Sequence, residues 1–227
     1  MNAQNTRTLE NVSLLSQSFP TLPRAGIGRW ACTHCAGPGY RLGVWTAGCD
    51  LRCEGCQTPD LQAMRSPEDA SAFWVEFANT AANPALTGLT VSGGEPLLQP
   101  ELVLCMLEVY TAIKTQLNQP VDILLYSHFL LEEIKKMPLG QKILSLCSVL
   151  IDGPFVQAKN DRTMKNGLAG SSNQSIHYLH CNASLQKQYE EYNVCRKVEF
   201  TGFRGLVNGI PCQIGTGIVG LLFNFSF

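Results

Sequence analysis

The sequence has few charged side chains and no marked excess of either sign. Charged residues make up 15% of the 227 residues, whereas about a quarter is usual in soluble proteins. The formal net charge is −1, from 17 Lys and Arg against 18 Asp and Glu. Because this balance gives no general attraction to nucleic acids or anionic membranes, neither class of partner is expected.

The sequence also lacks long apolar runs. No run reaches the roughly 18 residues of a membrane-spanning helix, and residues 1–20 lack the basic segment and apolar core of a signal peptide. We therefore expect a cytoplasmic protein. In a reducing compartment its ten cysteines are expected to be thiols, metal ligands or redox groups rather than structural disulfides.

The length and composition fit a single folded domain. A hydrophobic fraction of 45% is typical of globular chains, so extensive disorder is not expected. We expect a loose polar N-terminal arm at residues 1–22, a core domain at residues 23–211, and an unassigned apolar tail at residues 212–227. The sequence contains no internal repeat and no low-complexity tract.

Strand-like and helix-like patterns alternate from Arg41 onwards. Strands are predicted at residues 41–47, 86–92, 121–127 and 145–151, with helices at residues 66–81, 101–117 and 129–137. This order predicts βαβ units and a parallel sheet, which is the α/β fold class. Residues 175–179 and 196–203 could form further strands.

Polar or glycine-rich motifs follow three of the predicted strands. A cysteine loop follows the first strand, Gly93-Gly94 follows the second, and Asp152-Gly153 follows the last. Because the carboxyl ends of parallel strands meet at one edge of a sheet, we expect these motifs to share a site.

The cysteine loop, TAGCDLRCEGCQTPD, has a C-x3-C-x2-C spacing formed by Cys49, Cys53 and Cys56. Three thiolates can bind three irons of a [4Fe–4S] cluster, which leaves the fourth iron open to another ligand. The alternatives are a zinc site or three unrelated thiols. Zinc sites usually have paired C-x2-C motifs and four ligands, so the spacing favours the cluster.

This loop resembles the cysteine motif of radical S-adenosylmethionine (SAM) enzymes, and Gly93-Gly94-Glu95-Pro96 resembles their GGEP element. The segments GPGYRLGVWTAGCDLRCEGC, LIDGPF and AGSSNQ are similar to the compact activase branch of that family. This branch includes the activating proteins of anaerobic ribonucleotide reductase and pyruvate formate-lyase. The similar motifs span residues 37–174.

The resemblance implies a fold, two cofactors and a reaction. It implies a partial (β/α)6 barrel with a parallel sheet, a [4Fe–4S] cluster and SAM. In such enzymes the reduced cluster cleaves SAM to methionine and a 5′-deoxyadenosyl radical, which removes hydrogen from the substrate. For the activases that substrate is a glycine of a glycyl-radical enzyme, here expected to be of the anaerobic ribonucleotide reductase type. A one-electron reductant such as flavodoxin or ferredoxin is also implied.

Two other functions stay open. One is a stand-alone radical SAM enzyme acting on a small molecule or a peptide. The other is a non-catalytic iron–sulfur or zinc protein, although the Gly-Gly-Glu-Pro element argues against it because a cluster holder needs no SAM pocket.

By position within the motifs, the resemblance assigns individual residues. The expected cluster ligands are Cys49, Cys53 and Cys56, and the residues expected to contact SAM are Gly55, Gln57, Gly93, Gly94, Glu95 and Asp152, with Ser172 and Asn173 as further candidates. Gly93 and Gly94 are expected to let the backbone approach the methionyl amino group. For Asp152 the alternative is an ordinary turn before Gly-Pro, and for Ser172 and Asn173 it is a turn.

Some features lie outside the shared pattern. Ser175 stands where the family commonly has a basic residue, and Gly55 offers only backbone to adenine. The pair Cys32 and Cys35 could begin a second metal site. Its candidate partners lack paired spacing; they are Cys181, Cys195 and Cys212.

The other cysteines and histidines are expected to be structural. Cys105 and Cys147 are predicted to be core residues, because a free cysteine behaves as a small apolar side chain. His128, His177 and His180 are expected to be structural or exposed.

Overall fold

The computed structural model describes residues 26–64, 71–160, 167–193, 198–201 and 206–209. The predicted arm at residues 1–22 and the tail at residues 212–227 lie outside these ranges. Within the described part of the chain, no helix has both the length and the apolar character needed to cross a membrane.

The strands and helices alternate through most of the described chain. The strands are β1 (Ile27–Thr33), β2 (Arg41–Thr46), β3 (Gly88–Gly93), β4 (Ile123–Ser127), β5 (Val149–Asp152), β6 (Ser175–Tyr178), β7 (Val198–Thr201) and β8 (Leu206–Gly209). The helices are α1 (Ser71–Ala81), α2 (Pro100–Gln116), α3 (Leu131–Ile134), α4 (Gly140–Leu146) and α5 (Ala183–Tyr192).

Six strands form one mixed sheet in the order β1 to β6, and β7 and β8 form a separate antiparallel pair. The four strands β2 to β5 are parallel, which confirms the α/β class and the parallel centre of the sheet. The expectation of parallel pairing is wrong at the edges, where β1 and β6 are antiparallel to their neighbours. Between β1 and β2 only residues 34–40 are available, too few for the crossover that parallel strands need. Closure into a partial barrel stays a prediction.

Alternate residues of the central strands pack on opposite faces of the sheet. Ile123 and Leu125 of β4 belong to the main core, which includes residues of α1, α2 and α4. Leu124 between them packs in a second cluster with Tyr189 and Tyr192 of α5. Both faces of the sheet are therefore covered, as is usual for parallel strands. Residues of β2 to β5 can then contact a ligand only at the ends of the strands.

A buried ion pair fixes the amino ends of β2 and β4. Arg41 is fully buried and donates to the carboxylate of Asp122, to Thr90 Oγ1 at 2.8 Å and to the Leu89 carbonyl at 2.8 Å. Tyr189 donates its hydroxyl to the same carboxylate at 2.8 Å. Burial acts to lower the pKa of Arg41, but Tyr189 and Asp122 outweigh it and raise the pKa, so the guanidinium stays charged. This network lies at the end of the sheet opposite the cysteine loop.

Candidate functional site

A cavity of about 210 Å³ lies at the carboxyl ends of β2 to β5. Its walls combine thiols, backbone, polar side chains and aromatic rings. The lining residues from the strand ends and the loops that follow them include Cys49, Cys53, Cys56, Gln57, Gly93, Gly94, Glu95, His128, Gly153 and Gln174. The structure therefore brings the motifs that follow separate strands to one place.

The cysteine loop is fastened at both of its ends by backbone hydrogen bonds. Gly48 donates to the Leu61 carbonyl at 2.8 Å and Cys49 donates to the Gln62 carbonyl at 3.1 Å. Cys56 donates to the Cys53 carbonyl at 3.2 Å, which closes a tight turn. The two ends of the loop are thus fixed while its thiols face the cavity.

The three loop thiols are free and partly buried. Burial raises the pKa of Cys49 and of Cys53, and a neighbouring thiol adds to the rise in each, Cys53 acting on Cys49 and Cys56 acting on Cys53. Three thiolates so close together are costly without a cation. Iron would compensate that charge, because metal binding favours the deprotonated thiol.

The Gly-Gly-Glu-Pro turn is attached directly to this loop. Gly94 donates to the Thr46 carbonyl at 2.8 Å, and Glu95 donates to the Gly48 carbonyl at 2.7 Å. The hydroxyl of Thr58 donates to the Gly93 carbonyl at 2.9 Å. The end of β3 and the cysteine loop therefore form one continuous backbone surface.

This close backbone contact explains why the turn contains two glycines. Gly93 has a φ of +124°, and a Cβ there would lie 2.3 Å from the backbone nitrogen and oxygen of Thr46. A Cβ on Gly94 would lie 2.2 Å from the Gly48 carbonyl oxygen. The expected approach of SAM is one reason for these glycines, and contact with the protein's own backbone is a second and independent reason.

Replacing Gly94 with alanine is expected to push the cysteine loop away from the turn, because a backbone carbonyl cannot rotate aside as a side chain can. We expect a loss of about 1–3 kcal/mol in the free energy of unfolding, together with reduced iron incorporation on anaerobic reconstitution. Denaturant unfolding and iron analysis measure both effects.

Gly170→Ala is the matched control for this change, because Gly170 also lines the cavity. The nearest atoms to a Cβ at Gly170 belong to the side chains of Phe155 and Gln174, at 3.0 Å and 3.3 Å. Side chains can adjust, so we expect a smaller effect. Equal losses in the two variants would contradict the backbone-contact explanation.

Glu95 joins the carboxyl ends of β3 and β4 from a buried position. Its Oε1 accepts from the Leu97 N–H at 2.9 Å and from the Ser127 hydroxyl at 2.8 Å, and its Oε2 accepts from the His128 N–H at 2.7 Å. Burial raises the pKa of Glu95, and these hydrogen bonds act against the rise. A carboxylate has about four acceptor positions, so roughly one is left for a ligand such as an ammonium group.

Of the remaining residues predicted to contact SAM, some line the cavity and others do not. Gln57 lines the cavity, whereas Gly55 packs against the side chain of Gln157. Asp152 is not among the lining residues. Its carboxylate accepts from the Leu131 N–H at 2.7 Å and lies 3.0 Å from His177 Nε2.

The AGSSNQ loop reaches the cavity through Gly170 and Gln174. Ser172 and Asn173 bond to backbone carbonyls, the first through its N–H and the second through its side-chain amide. Gln174 lines the cavity, accepts from the Gly170 N–H at 2.8 Å and donates to the Gly153 carbonyl at 2.9 Å. This side chain connects the loop to the end of β5.

Sequence reasoning missed several lining residues. Trp45, Tyr126, His128 and Phe155 all line the cavity, and none of them was assigned to it. Tyr126 and His128 belong to the segment Tyr-Ser-His at the end of β4, so a search of every predicted strand end for polar residues would have found them.

The structure splits the Cys32 and Cys35 pair. Cys32 lies in β1 against the main core, whereas Cys35 lines the cavity. Cys181 donates its thiol to the Ser148 carbonyl at 3.2 Å. Among the described residues, none of these thiols belongs to a group with metal-binding geometry. Two further candidates, Cys195 and Cys212, lie outside the described ranges.

Cys105 and Cys147 are both buried, which confirms their prediction as core residues. Burial raises the pKa of each thiol to about 12, with a further contribution from Glu108 at Cys105. Both thiols are therefore protonated at neutral pH, as expected of cysteines that pack as small apolar side chains.

The residues present fit a [4Fe–4S] cluster with SAM beside it. Three free thiols from one loop share the cavity with a buried carboxylate, aromatic rings and backbone. On the adjoining loops, the amide oxygens of Gln157 and Asn173 are buried with no hydrogen-bond partner in the described part of the chain. Neither residue lines the cavity, so the fit rests on the thiols, the carboxylate and the glycine-rich backbone.

Comparisons with known proteins agree with this chemistry. Residues 35–177 match the model of the 4Fe–4S single cluster domain family. The anaerobic ribonucleoside-triphosphate reductase-activating protein of Escherichia coli K12 is 29% identical over 146 residues, covering 63% of this chain and 91% of that protein. The protein of the same name from Enterobacteria phage T4 is 29% identical over 148 residues, covering 65% and 89%. The pyruvate formate-lyase-activating enzyme of Clostridium pasteurianum is 36% identical over 89 residues, covering 35% of this chain and 37% of that enzyme.

The family match covers well over half of the chain and includes the cysteine loop, the Gly-Gly-Glu-Pro turn and the AGSSNQ loop. These are the segments that the structure places around one cavity. The chain therefore belongs to the 4Fe–4S single cluster domain family and is a radical SAM enzyme.

Proposed function

We propose that this enzyme activates a glycyl-radical enzyme of the anaerobic ribonucleotide reductase type. The observation that carries the proposal is that three free thiols of one loop share a cavity with the Gly-Gly-Glu-Pro turn. The relatives named as activating proteins of that reductase align over about nine-tenths of their own length, which favours this partner.

In this proposal Cys49, Cys53 and Cys56 hold the cluster. When bound, the cluster and SAM supply reductive carbon–sulfur cleavage and hydrogen abstraction, with the electron coming from a reductant such as flavodoxin or ferredoxin. The protein's own residues supply position: Glu95 receives the methionyl ammonium through its remaining acceptor, and Gly93 and Gly94 keep the cysteine loop in contact with the turn.

The other predicted residues surround the rest of SAM. Gly55 and Gln57 meet the adenine through backbone groups, and Gln57 lies on the cavity wall. Asp152 acts from behind that wall, since its bond to the Leu131 N–H orients the start of α3 beside Gly153. Ser172 and Asn173 hold the loop that presents Gln174.

The decisive experiment is anaerobic incubation of the reconstituted enzyme with SAM, a one-electron reductant and an anaerobic ribonucleotide reductase. We expect 5′-deoxyadenosine and a glycyl-radical doublet in the electron paramagnetic resonance spectrum, in comparable amounts. Omitting SAM or the reductant is the control and should remove both. Formation of 5′-deoxyadenosine with no glycyl signal would reject the activase assignment in favour of a small-molecule or peptide substrate.

A further inference from the structure

We propose that His128 is a positioning residue that holds the cysteine loop against the Gly-Gly-Glu-Pro turn, and that Asp50 is its partner in the loop. The effect on SAM rests on the function proposed above, whereas the effect on the loop itself does not. Neither residue was assigned a role by the sequence motifs.

His128 is bonded to two separate motifs at once. Its ring Nε2 lies 2.7 Å from Asp50 Oδ1, in the segment between the first two cysteines. Its backbone N–H is donated to Glu95 Oε2 at 2.7 Å. One residue at the end of β4 thus connects the cysteine loop to the turn after β3.

The ring is more buried than its partner, whose carboxylate otherwise bonds only to nearby backbone among the described residues. The His128 side chain is 15% exposed and packs on Phe129 with ring centroids 4.1 Å apart and ring planes tilted by 39°. The Asp50 side chain is 50% exposed, and within the described ranges the Arg52 guanidinium, two residues further along, donates to the Cys49 and Leu51 carbonyls of the same loop. The imidazole therefore adds a restraint from the end of β4 to a loop segment whose other hydrogen bonds run mainly within the loop and to residues 61 and 62.

The contact lies beside the first predicted cluster ligand. One ligand atom each from Cys49, Asp50 and His128 lie within 4.8 Å of one another. A shift of Asp50 would therefore be transmitted directly to the neighbouring Cys49 thiol. Residues that orient metal ligands in this way commonly alter affinity and potential when they are replaced.

The His128 side chain also lies between two carboxylates at the cavity. Among the described lining residues His128 alone has a side chain able to carry positive charge, and the carboxylates of Asp50 and Glu95 flank it. Without the ring, these two carboxylates would lose the nitrogen that lies 2.7 Å from one and 3.7 Å from the other. The proposal needs only an N–H donor, which the neutral imidazole already provides.

The first test uses hydrogen exchange in the cluster-free full chain, so that it does not depend on activity. In His128→Ala and in Asp50→Ala we expect roughly tenfold faster exchange of amides at residues 49–54, since the lost bond is to a charged group. The double variant should be no faster than either single variant, because both break the same contact. His128→Gln, which keeps a side-chain N–H, should recover part of the protection.

The second test uses the reconstituted enzyme. We expect His128→Ala to raise KM for SAM about tenfold while kcat changes less, and to make the cluster midpoint potential more negative, because Asp50 is freed beside the cluster. His180→Ala is the matched control, since His180 is an exposed histidine outside the cavity lining, and it should match the wild type in every measurement.

Several outcomes would overturn the inference. These are wild-type exchange rates in residues 49–54 of His128→Ala, additive effects in the double variant, or equal acceleration across the whole sheet, which would indicate a general loss of stability. If the wild type cleaves SAM but forms no glycyl radical, the proposed function fails while the exchange result still decides the role of His128.

Discussion

Replacing Cys53 with alanine is expected to abolish cluster binding and SAM cleavage together. Cys53 is the middle ligand of the loop, and Cys49 and Cys56 alone cannot hold three irons of a cubane. Iron and sulfide content after anaerobic reconstitution should fall to background. With SAM and reductant, no 5′-deoxyadenosine should form.

Two other cysteines provide matched controls for this variant. Cys35 lines the same cavity, and Cys181 lies outside it with its thiol bonded to a backbone carbonyl. Cys35→Ala and Cys181→Ala should both retain the cluster and cleave SAM. Loss of the cluster in Cys35→Ala would mean that a fourth thiol binds iron. That result would contradict the proposal that one iron is open to SAM.

The central strands could be predicted because they are buried on both faces. β3 and β4 are short apolar runs that end at glycine or polar residues, and they begin within two residues of the predicted starts. The same pattern misled at residues 145–151, where α4 continues to Leu146. An apolar run of this length does not distinguish a strand from a buried helix end.

The strand β1 could not be predicted from its own sequence. Among the described strands it lies at the edge of the sheet beside β2, and its residues are mostly partly buried rather than fully buried. Its antiparallel pairing to β2 is specified by the short connection and by contacts such as Trp30 on Phe73, with ring centroids 5.2 Å apart. Such contacts produce no hydrophobic periodicity in the sequence from which the strand could be predicted.

The candidate site also has one part that the sequence predicts and another that only the fold reveals. Cysteine spacing and the Gly-Gly-Glu-Pro turn are local, so the sequence alone could indicate them. The contact of His128 with Asp50 joins residues 78 positions apart, and that of Ser127 with Glu95 joins residues 32 apart. These pairings arise only when neighbouring strand ends meet, and an ordinary histidine or serine gives no sign of them beforehand.

The second large effect is expected at Arg41, at the amino end of β2. Replacing Arg41 with methionine leaves the Asp122 carboxylate buried with no cation, in a position where only 7% of its side chain is exposed. Removing one member of a buried ion pair usually costs about 3–5 kcal/mol. We expect a loss of that size in the free energy of unfolding, measured by urea denaturation under anaerobic conditions.

The double variant Arg41→Met with Asp122→Leu distinguishes two causes of the lost stability. One is the loss of the ion-pair attraction, and the other is the burial of an unpaired carboxylate. Because the double variant removes both charges, it should recover much of the stability, limited by the Tyr189 hydroxyl that then lacks its acceptor. Arg41 lies at the amino end of β2 and the cysteine loop follows the carboxyl end, so the folded variants should keep the cluster spectrum of the wild type. Wild-type stability in Arg41→Met alone, or a changed cluster spectrum, would contradict this separation of a stabilising end from a reactive end of the sheet.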